Sequence, residues 1–181
     1  MTEFPAAAQF AARAQAAGLE LRFGRDDLLD AVRPLWLSML AHHRAILDSG
    51  LPMVAPEVSW PRRRQYYEKL LTLPETVIIV ASRAGEPVGY CVTHIRPGPD
   101  DTWPTGGLIG EIDSVAVVAA ERGAGIGTLL MDAAEAHLAA YGAVDVMLEV
   151  LPGNASPMAF YQRRGMKPAT IKMLRLAAGS G

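Results

Sequence analysis

The stretch that decides the fold reads RGAGIGT and occupies residues 122–128. It stands between a β-branched run at residues 111–118 (EIDSVAVV) and a segment with apolar residues at helical spacing. In that position the first amides of the helix have no intrahelical partner and point outward at the positive end of the helix dipole. Glycine at alternate positions removes the Cβ atoms that would keep an anion away from the main chain. The sequence therefore predicts a strand, a turn with an anion site, and a helix.

The remaining elements are predicted outward from this turn. The helix after it carries an apolar stripe and ends near Gly142. Strands are predicted at residues 19–23, 76–82, 88–95, 111–118, 144–150 and 172–176, and further helices at 25–46, 62–73 and 158–164. The order β α α β β β α β α β predicts an α/β (α+β) single domain, with a mixed, mostly antiparallel sheet and helices on both faces. Residues 1–18 are expected to form an N-terminal extension with a short exposed helix, and residues 19–181 the main domain.

Composition excludes several classes of partner. Lys and Arg number 17 against 19 Asp and Glu, a net charge of −2, which argues against a nucleic-acid partner. No apolar run approaches the roughly 20 residues of a membrane span, so no membrane partner is expected. Cys91 is the single cysteine, which excludes an internal disulfide and a cysteine-based zinc site. We expect a cytoplasmic protein without a metal.

Several ligands, or none, could explain the glycine turn. A P-loop requires Lys and then Ser or Thr after its last glycine, whereas Gly127 is followed by Thr128 and Leu129. A dinucleotide turn requires a third glycine at a different spacing, although Glu149 would suit as its acidic residue. A glycine-rich connection without a ligand is the plain alternative.

A third interpretation rests on a resemblance. The pattern Arg122-x-x-Gly125-x-Gly127 resembles the Gln/Arg-x-x-Gly-x-Gly/Ala signature of the GNAT superfamily of N-acetyltransferases. A second pattern follows at the expected distance: Asn154, then FYQRRGM at residues 160–166, similar to the family's Asn-x-x-Ala-x-x-Phe-Tyr-x-x-x-Gly-Phe. Pro157 stands where the family usually has Ala, and Met166 where it has Phe.

The resemblance implies acetyl-CoA as the acetyl donor. In the family, the strand before the turn offers its backbone to the pantetheine arm, which here implies Val115, Ala116 and Val117. Asn154 would touch the cofactor or cap the next helix. The pyrophosphate would lie against the turn, formed by Arg122, Gly123, Ala124, Gly125, Ile126, Gly127 and Thr128.

Acetyl transfer to an amine requires the neutral amine, and a lysine-like ammonium with a pKa of about 10.4 is neutral in only about one molecule in a thousand at pH 7. Glu111 stands at the spacing where some family members carry a general base, and Asp113 follows on the same strand face by period two. His94 is the rival base. Tyr161 matches the family position that protonates the departing thiolate, a modest contribution because a thiol has a pKa of about 8.5.

The acceptor side is left open by the sequence. Trp60, Tyr66, Tyr67 and the loop with Asp100, Asp101 and Trp103 could line an amine pocket or be ordinary core and surface residues. We expect direct attack by a small-molecule or peptide amine in a ternary complex. The alternative is a non-catalytic acyl-CoA-binding or regulatory module on the same fold. Dimerisation is common in the family, so a homodimer is a further expectation.

Overall fold

The computed structural model describes residues 4–47 and 50–176, so residues 1–3 of the predicted extension lie outside it. It contains five α-helices and five β-strands over the described residues. In chain order they are α1 (Ala7–Ala16), β1 (Glu20–Gly24), α2 (Leu29–Ile46), α3 (Pro56–Leu70), β2 (Val77–Arg83), β3 (Glu86–Pro97), β4 (Leu108–Val117), α4 (Ile126–Ala140), β5 (Val146–Leu148) and α5 (Ala155–Arg163). None of these helices has the length and apolar character of a membrane-spanning segment.

The five strands form one sheet in the order β1-β2-β3-β4-β5. The first three pairings are antiparallel, and β4 pairs with β5 in parallel. A parallel neighbour requires a crossover connection, and α4 provides it. The predicted mixed, mostly antiparallel sheet is confirmed.

Helices cover both faces of the sheet. The alternating side chains of β2 show this directly, because Val77 and Ile79 pack with α1 and α4, whereas Ile78 and Val80 pack with α2 and α3. Burial on both faces explains why this strand reads as a continuous apolar run. The predicted helix at the N-terminus exists, but its predicted exposure is wrong, since Phe10 and Ala14 of α1 are buried in the core.

The last predicted strand, residues 172–176, is also wrong. These residues form no strand, and Ile171 and Met173 beside and within them are 84% and 88% exposed. The β-favouring composition is not enough, because a strand requires a hydrogen-bonded neighbour and β5 pairs only with β4 in the described chain.

Several element boundaries differ from the predictions. The β3–β4 hairpin extends two to three residues further on each side, and the amide of Gly98 still donates to the carbonyl of Gly107 beyond it. Helix α3 begins at Pro56 rather than at residue 62, since proline suits the first position of a helix. Helix α5 begins earlier than predicted, with Pro157 in its first turn.

Candidate functional site

The sheet opens between β4 and β5, and this opening organises the site. Parallel pairing joins Gly110 to Val146 and ends where Ile112 meets Leu148, the last residue of β5. Strand β4 continues to Val117, paired with β3 only. Val115, Ala116 and Val117 are therefore half-buried residues on a strand whose second edge has no neighbour in the described chain. Such an edge offers unpaired N–H and C=O groups to an extended ligand.

The glycine turn lies at the end of this open edge. Gly123 and Gly125 both have φ of 81°, a left-handed conformation that glycine adopts without steric penalty. A Cβ built on either would meet no atom within 4 Å, so the space around the turn is open. Gly125 is the N-cap of α4 and offers no side chain to satisfy the helix.

The amides of this turn are available to an anion. No amide from Gly123 to Thr128 donates to a backbone carbonyl of the described residues, and the first that does is Leu129, which donates to Gly125. These N–H groups stand at the positive end of a helix of 15 residues. Arg122 ties the turn to the open strand, because its Nε donates to the carbonyl of Val117 at 3.3 Å. This arrangement is the one an anion site requires, and anion binding here stays a prediction.

Two carboxylates lie beside the opening, on the face covered by α2 and α3. Alternation along β3 puts His94 and Arg96 on the face of Val92, and Glu111 is the register partner of His94. Glu111 accepts a hydrogen bond from Arg96 through Oε2. No described residue bonds to Oε1 of Glu111, so one of its oxygens is available.

Asp113 lies on the same face as Glu111, at a β-bulge of β4. The register passes from Val92 opposite Ser114 to Thr93 opposite Ile112, which leaves Asp113 as the extra residue of β4. Period-two alternation holds from Glu111 to Asp113, because Ile112 between them packs on the opposite face, so the prediction that the two carboxylates share a face is confirmed. The alternation breaks only after Asp113, where Ser114 also faces α3.

Both oxygens of Asp113 are occupied by side chains of α3. Arg63 donates to Oδ2 at 3.0 Å, and the hydroxyl of Tyr66 donates to Oδ1 at 2.8 Å. The guanidinium of Arg63 also stacks 4.0 Å from the ring centroid of Trp36. Burial raises the pKa of Asp113, while the charge of Arg63 and the hydrogen bond from Tyr66 oppose that rise.

His94, the rival base, is 8% exposed. Its Nδ1 is buried without a hydrogen-bond partner among the described residues. His94 is the register partner of Glu111, and Asp113 lies on the same face two residues further along β4, so the three candidate bases form one cluster.

Tyr161 lies on the opposite face of the sheet, packed against the core cluster of α1 and α4. Its hydroxyl bonds to no described residue, and burial raises its pKa above the ordinary tyrosine value. Its neighbour Phe160 approaches Gly127, with a ring carbon 3.7 Å from where a Cβ would stand. Helix α5 therefore packs beside the glycine turn.

Asn154 is the N-cap residue of α5, but its predicted capping role is wrong because its side chain makes no capping hydrogen bond. Its Oδ1 instead lies 3.3 Å from Nε2 of His42, which donates to it from α2. The prediction that Asn154 contacts the cofactor stays a prediction.

The candidate acceptor-side residues divide into two groups. Trp60 and Tyr67 belong to the core, whereas Tyr66 and Trp103 are 39% and 42% exposed. Of these, only Tyr66 contacts a candidate catalytic carboxylate in the described chain.

Arg63 and Arg96 were not predicted to belong to the site. Arg63 precedes Tyr66 by three residues, so helical spacing puts both on one face of α3. The three-residue spacing could have indicated that Arg63 and Tyr66 act together. Their shared partner, Asp113, lies about fifty residues away in sequence, so the sequence did not reveal the contact.

Comparison with known proteins agrees with the geometry. The Acetyltransferase (GNAT) family model matches residues 44–166. The chain is 35% identical over 104 residues to an N-alpha-acetyltransferase of Sulfurisphaera tokodaii, and 34% identical over 95 residues to a mycothiol acetyltransferase of Thermobispora bispora. These matches cover 56% and 52% of this chain but 61% and 31% of the relatives, so the chain spans less than two thirds of either relative's length.

Solved structures share the fold. A GCN5-related N-acetyltransferase from Ralstonia eutropha superposes with a TM-score of 0.70 at 23% identity, covering 90% of this chain and all of that one. The aminoglycoside N-acetyltransferase AAC(6')-Iy, solved in complex with CoA, gives a TM-score of 0.65 at 15% identity, covering 88% of this chain and 95% of that one. The family match covers more than half of the sequence, and the chain is a member of the GNAT family of acetyltransferases.

Proposed function

We propose that the protein transfers the acetyl group of acetyl-CoA to a primary amine by direct attack in a ternary complex. The observation that carries this proposal is the row of amides at residues 123–128 that donate to no backbone carbonyl of the described residues, contiguous with the open edge of β4. Acetyl-CoA supplies an acetyl group activated as a thioester. Family membership and the CoA complex of a structural neighbour support its use here.

The residues present fit this donor. The amides of the glycine turn would hold the pyrophosphate, and the backbone of Val115, Ala116 and Val117 would pair with the pantetheine arm. Asn154, the N-cap residue of α5, is a proposed further contact of the cofactor. Tyr161 is the proposed acid for the departing thiolate, because its hydroxyl bonds to no described residue and its raised pKa keeps it protonated.

Of the candidate bases, Glu111 is favoured. Both oxygens of Asp113 are engaged by Arg63 and Tyr66, whereas Oε1 of Glu111 bonds to no described residue. Glu111 would accept the amine proton directly or through a water, while Asp113 would orient α3 through Arg63 and Tyr66. His94 stays the alternative.

The pairing of each carboxylate with an arginine favours an α-amine as acceptor. Arg63 balances the charge of Asp113 and Arg96 that of Glu111, so these two ion pairs leave no surplus negative charge to attract a polycation. The ordinary pKa of a glutamate carboxyl, about 4.3, lies about six units below the pKa of a lysine ammonium but only about 3.5 units below that of an α-ammonium. Proton transfer from a lysine ammonium to the carboxylate therefore costs roughly 3 kcal/mol more than transfer from an α-ammonium. The similarity to an N-alpha-acetyltransferase points the same way.

The test is release of the CoA thiol from acetyl-CoA with a panel of amines. A peptide with only a free α-amine should react faster than a terminally blocked peptide with one lysine, a polyamine or an aminoglycoside. Glu111→Gln should lower the rate strongly, and Glu86→Gln, at an exposed glutamate that begins β3, should not. Acetyl-CoA binding without release for any amine would instead support the non-catalytic acyl-CoA module. A cytoplasmic location and a homodimer remain predictions.

A further inference from the structure

The segment after α5 carries an amine close to the opening of the sheet. Residues 171–176 are exposed and lie outside helices and strands. Within them, the ammonium of Lys172 forms an ion pair with the carboxylate of Glu149. The side chains of Lys172 and Glu149 are 78% and 63% exposed, so this amine is accessible.

Glu149 holds this ion pair at the opening between β4 and β5. Leu148 is the last residue of β5 to pair with β4, so Glu149 is the first residue on the β5 side of the opening. Two residues earlier, the sulfur of Met147 lies 3.1 Å from Nη2 of Arg96, which binds Glu111. Glu149 is two residues beyond Met147, so it holds Lys172 close to the Glu111–Arg96 pair.

The charges of Glu111 and Arg96 both act on Lys172, in agreement with this placement. The chain thus presents a primary amine at the point where the strands diverge and where the proposed acetyl donor would place its thioester. No other lysine has such a position, because Lys69 lies in the last turn of α3 and Lys167 follows α5.

We propose that Lys172 is an internal acetyl acceptor, modified by direct transfer from acetyl-CoA bound at the opening between β4 and β5. The inference rests on the proposed function. The ammonium of Lys172 loses a proton to Glu149, and the neutral Nζ attacks the thioester carbonyl carbon. A C–N bond forms, the C–S bond breaks, and CoA leaves as the thiol with a proton. The products are acetyl-lysine, CoA and one proton released to solvent.

Chemical acetylation in solution would give the opposite pattern of labelling. The chain has three lysines, and Lys69 and Lys167 are exposed without an ion pair to any described residue. The hydrogen bond to Glu149 raises the pKa of Lys172, which lowers its neutral fraction. A reagent that reacts with any free amine should therefore label Lys172 more slowly than the other two.

The experiment uses the full chain and isotopically labelled acetyl-CoA, with the acetyl groups located by tandem mass spectrometry over time. A parallel sample receives acetic anhydride and no acetyl-CoA. We expect Lys172 to be labelled at least about tenfold faster than Lys69 and Lys167 with acetyl-CoA, and more slowly than both with acetic anhydride. The fraction labelled per unit time should not depend on protein concentration, and Glu149→Gln should remove the preference for Lys172.

Other results would overturn the inference. Labelling of Lys172 no faster than that of the other lysines would do so, as would a rate that rises with protein concentration or a preference that survives Glu149→Gln. Lys172→Arg should still release CoA with the peptide α-amine. If that peptide reacts while Lys172 stays unlabelled, self-acetylation is wrong and the proposed function stands; if neither reacts, both are wrong.

Discussion

Replacing Arg63 with methionine should destabilise the protein by about 2–4 kcal/mol at pH 7.5. Asp113 is 11% exposed, so removal of its guanidinium partner leaves a nearly buried carboxylate uncompensated, which costs about 3–5 kcal/mol when both partners are fully buried. Arg63 itself is 27% exposed, which lowers this figure. Loss of the contact with Trp36 adds about 1 kcal/mol, and methionine retains part of the packing of the arginine stem.

The effect should depend on pH with a definite sign. Burial raises the pKa of Asp113 and the charge of Arg63 opposes that rise, so the pKa climbs further in Arg63→Met. A carboxyl whose pKa is higher in the folded state destabilises the fold as the pH rises above its unfolded value of about 3.9. The deficit of Arg63→Met should therefore be smaller at pH 4.5 than at pH 7.5.

Urea denaturation followed by far-UV circular dichroism measures this free energy. Arg64→Met is the matched control, because Arg64 pairs with Asp30 and Glu68 on the surface and should contribute less than about 1 kcal/mol. Adding Asp113→Asn to Arg63→Met should restore more than half of the loss. A deficit below about 1 kcal/mol, or one equal at both pH values, would refute the assignment of a buried charge pair.

The remaining predictions concern the donor site and the chemistry. Gly125→Ala places a Cβ in the open space at the turn where the pyrophosphate would lie, at φ 81°, and should weaken acetyl-CoA binding about tenfold in calorimetry. The control is Gly142→Ala beyond the far end of α4, which is equally strained at φ 89° and should not lose affinity. Tyr161→Phe should lower kcat by no more than about tenfold with little change in KM, because a thiolate is a tolerable leaving group; an unchanged kcat at all pH values would show that packing alone explains Tyr161. Cys91→Ala should keep full activity, because Cys91 is buried within β3 and burial raises the pKa of its thiol; a folded but inactive variant would indicate a cysteine intermediate.

The conformation of the glycine turn could be predicted because its information is local in sequence. The glycine turn uses main-chain amides and backbone freedom, which a run of glycines before an amphipathic helix specifies without reference to distant residues. The structure puts Gly123 and Gly125 in the left-handed conformation that this interpretation requires.

The acceptor side could not be predicted in the same way, because its contacts join distant segments. The alternating pattern of β4 put Asp113 on the face of Glu111, but it did not reveal the bulge at Asp113 or its partners Arg63 and Tyr66, which come from α3. Glu111 likewise depends on Arg96 across the hairpin. The apolar run after α5 was wrongly predicted as a strand for the same reason, because residues 172–176 have a β-favouring composition but no pairing neighbour in the part of the chain that the structure describes.

Direct transfer is tested by initial rates at several concentrations of acetyl-CoA and of a peptide with a free α-amine. If both substrates occupy the site together, with the donor at the glycine turn and the amine beside Glu111, double-reciprocal plots should intersect and no acetylated intermediate that turns over should accumulate. Parallel lines, together with an acetyl-enzyme that passes its group to the peptide, would contradict direct attack in a ternary complex.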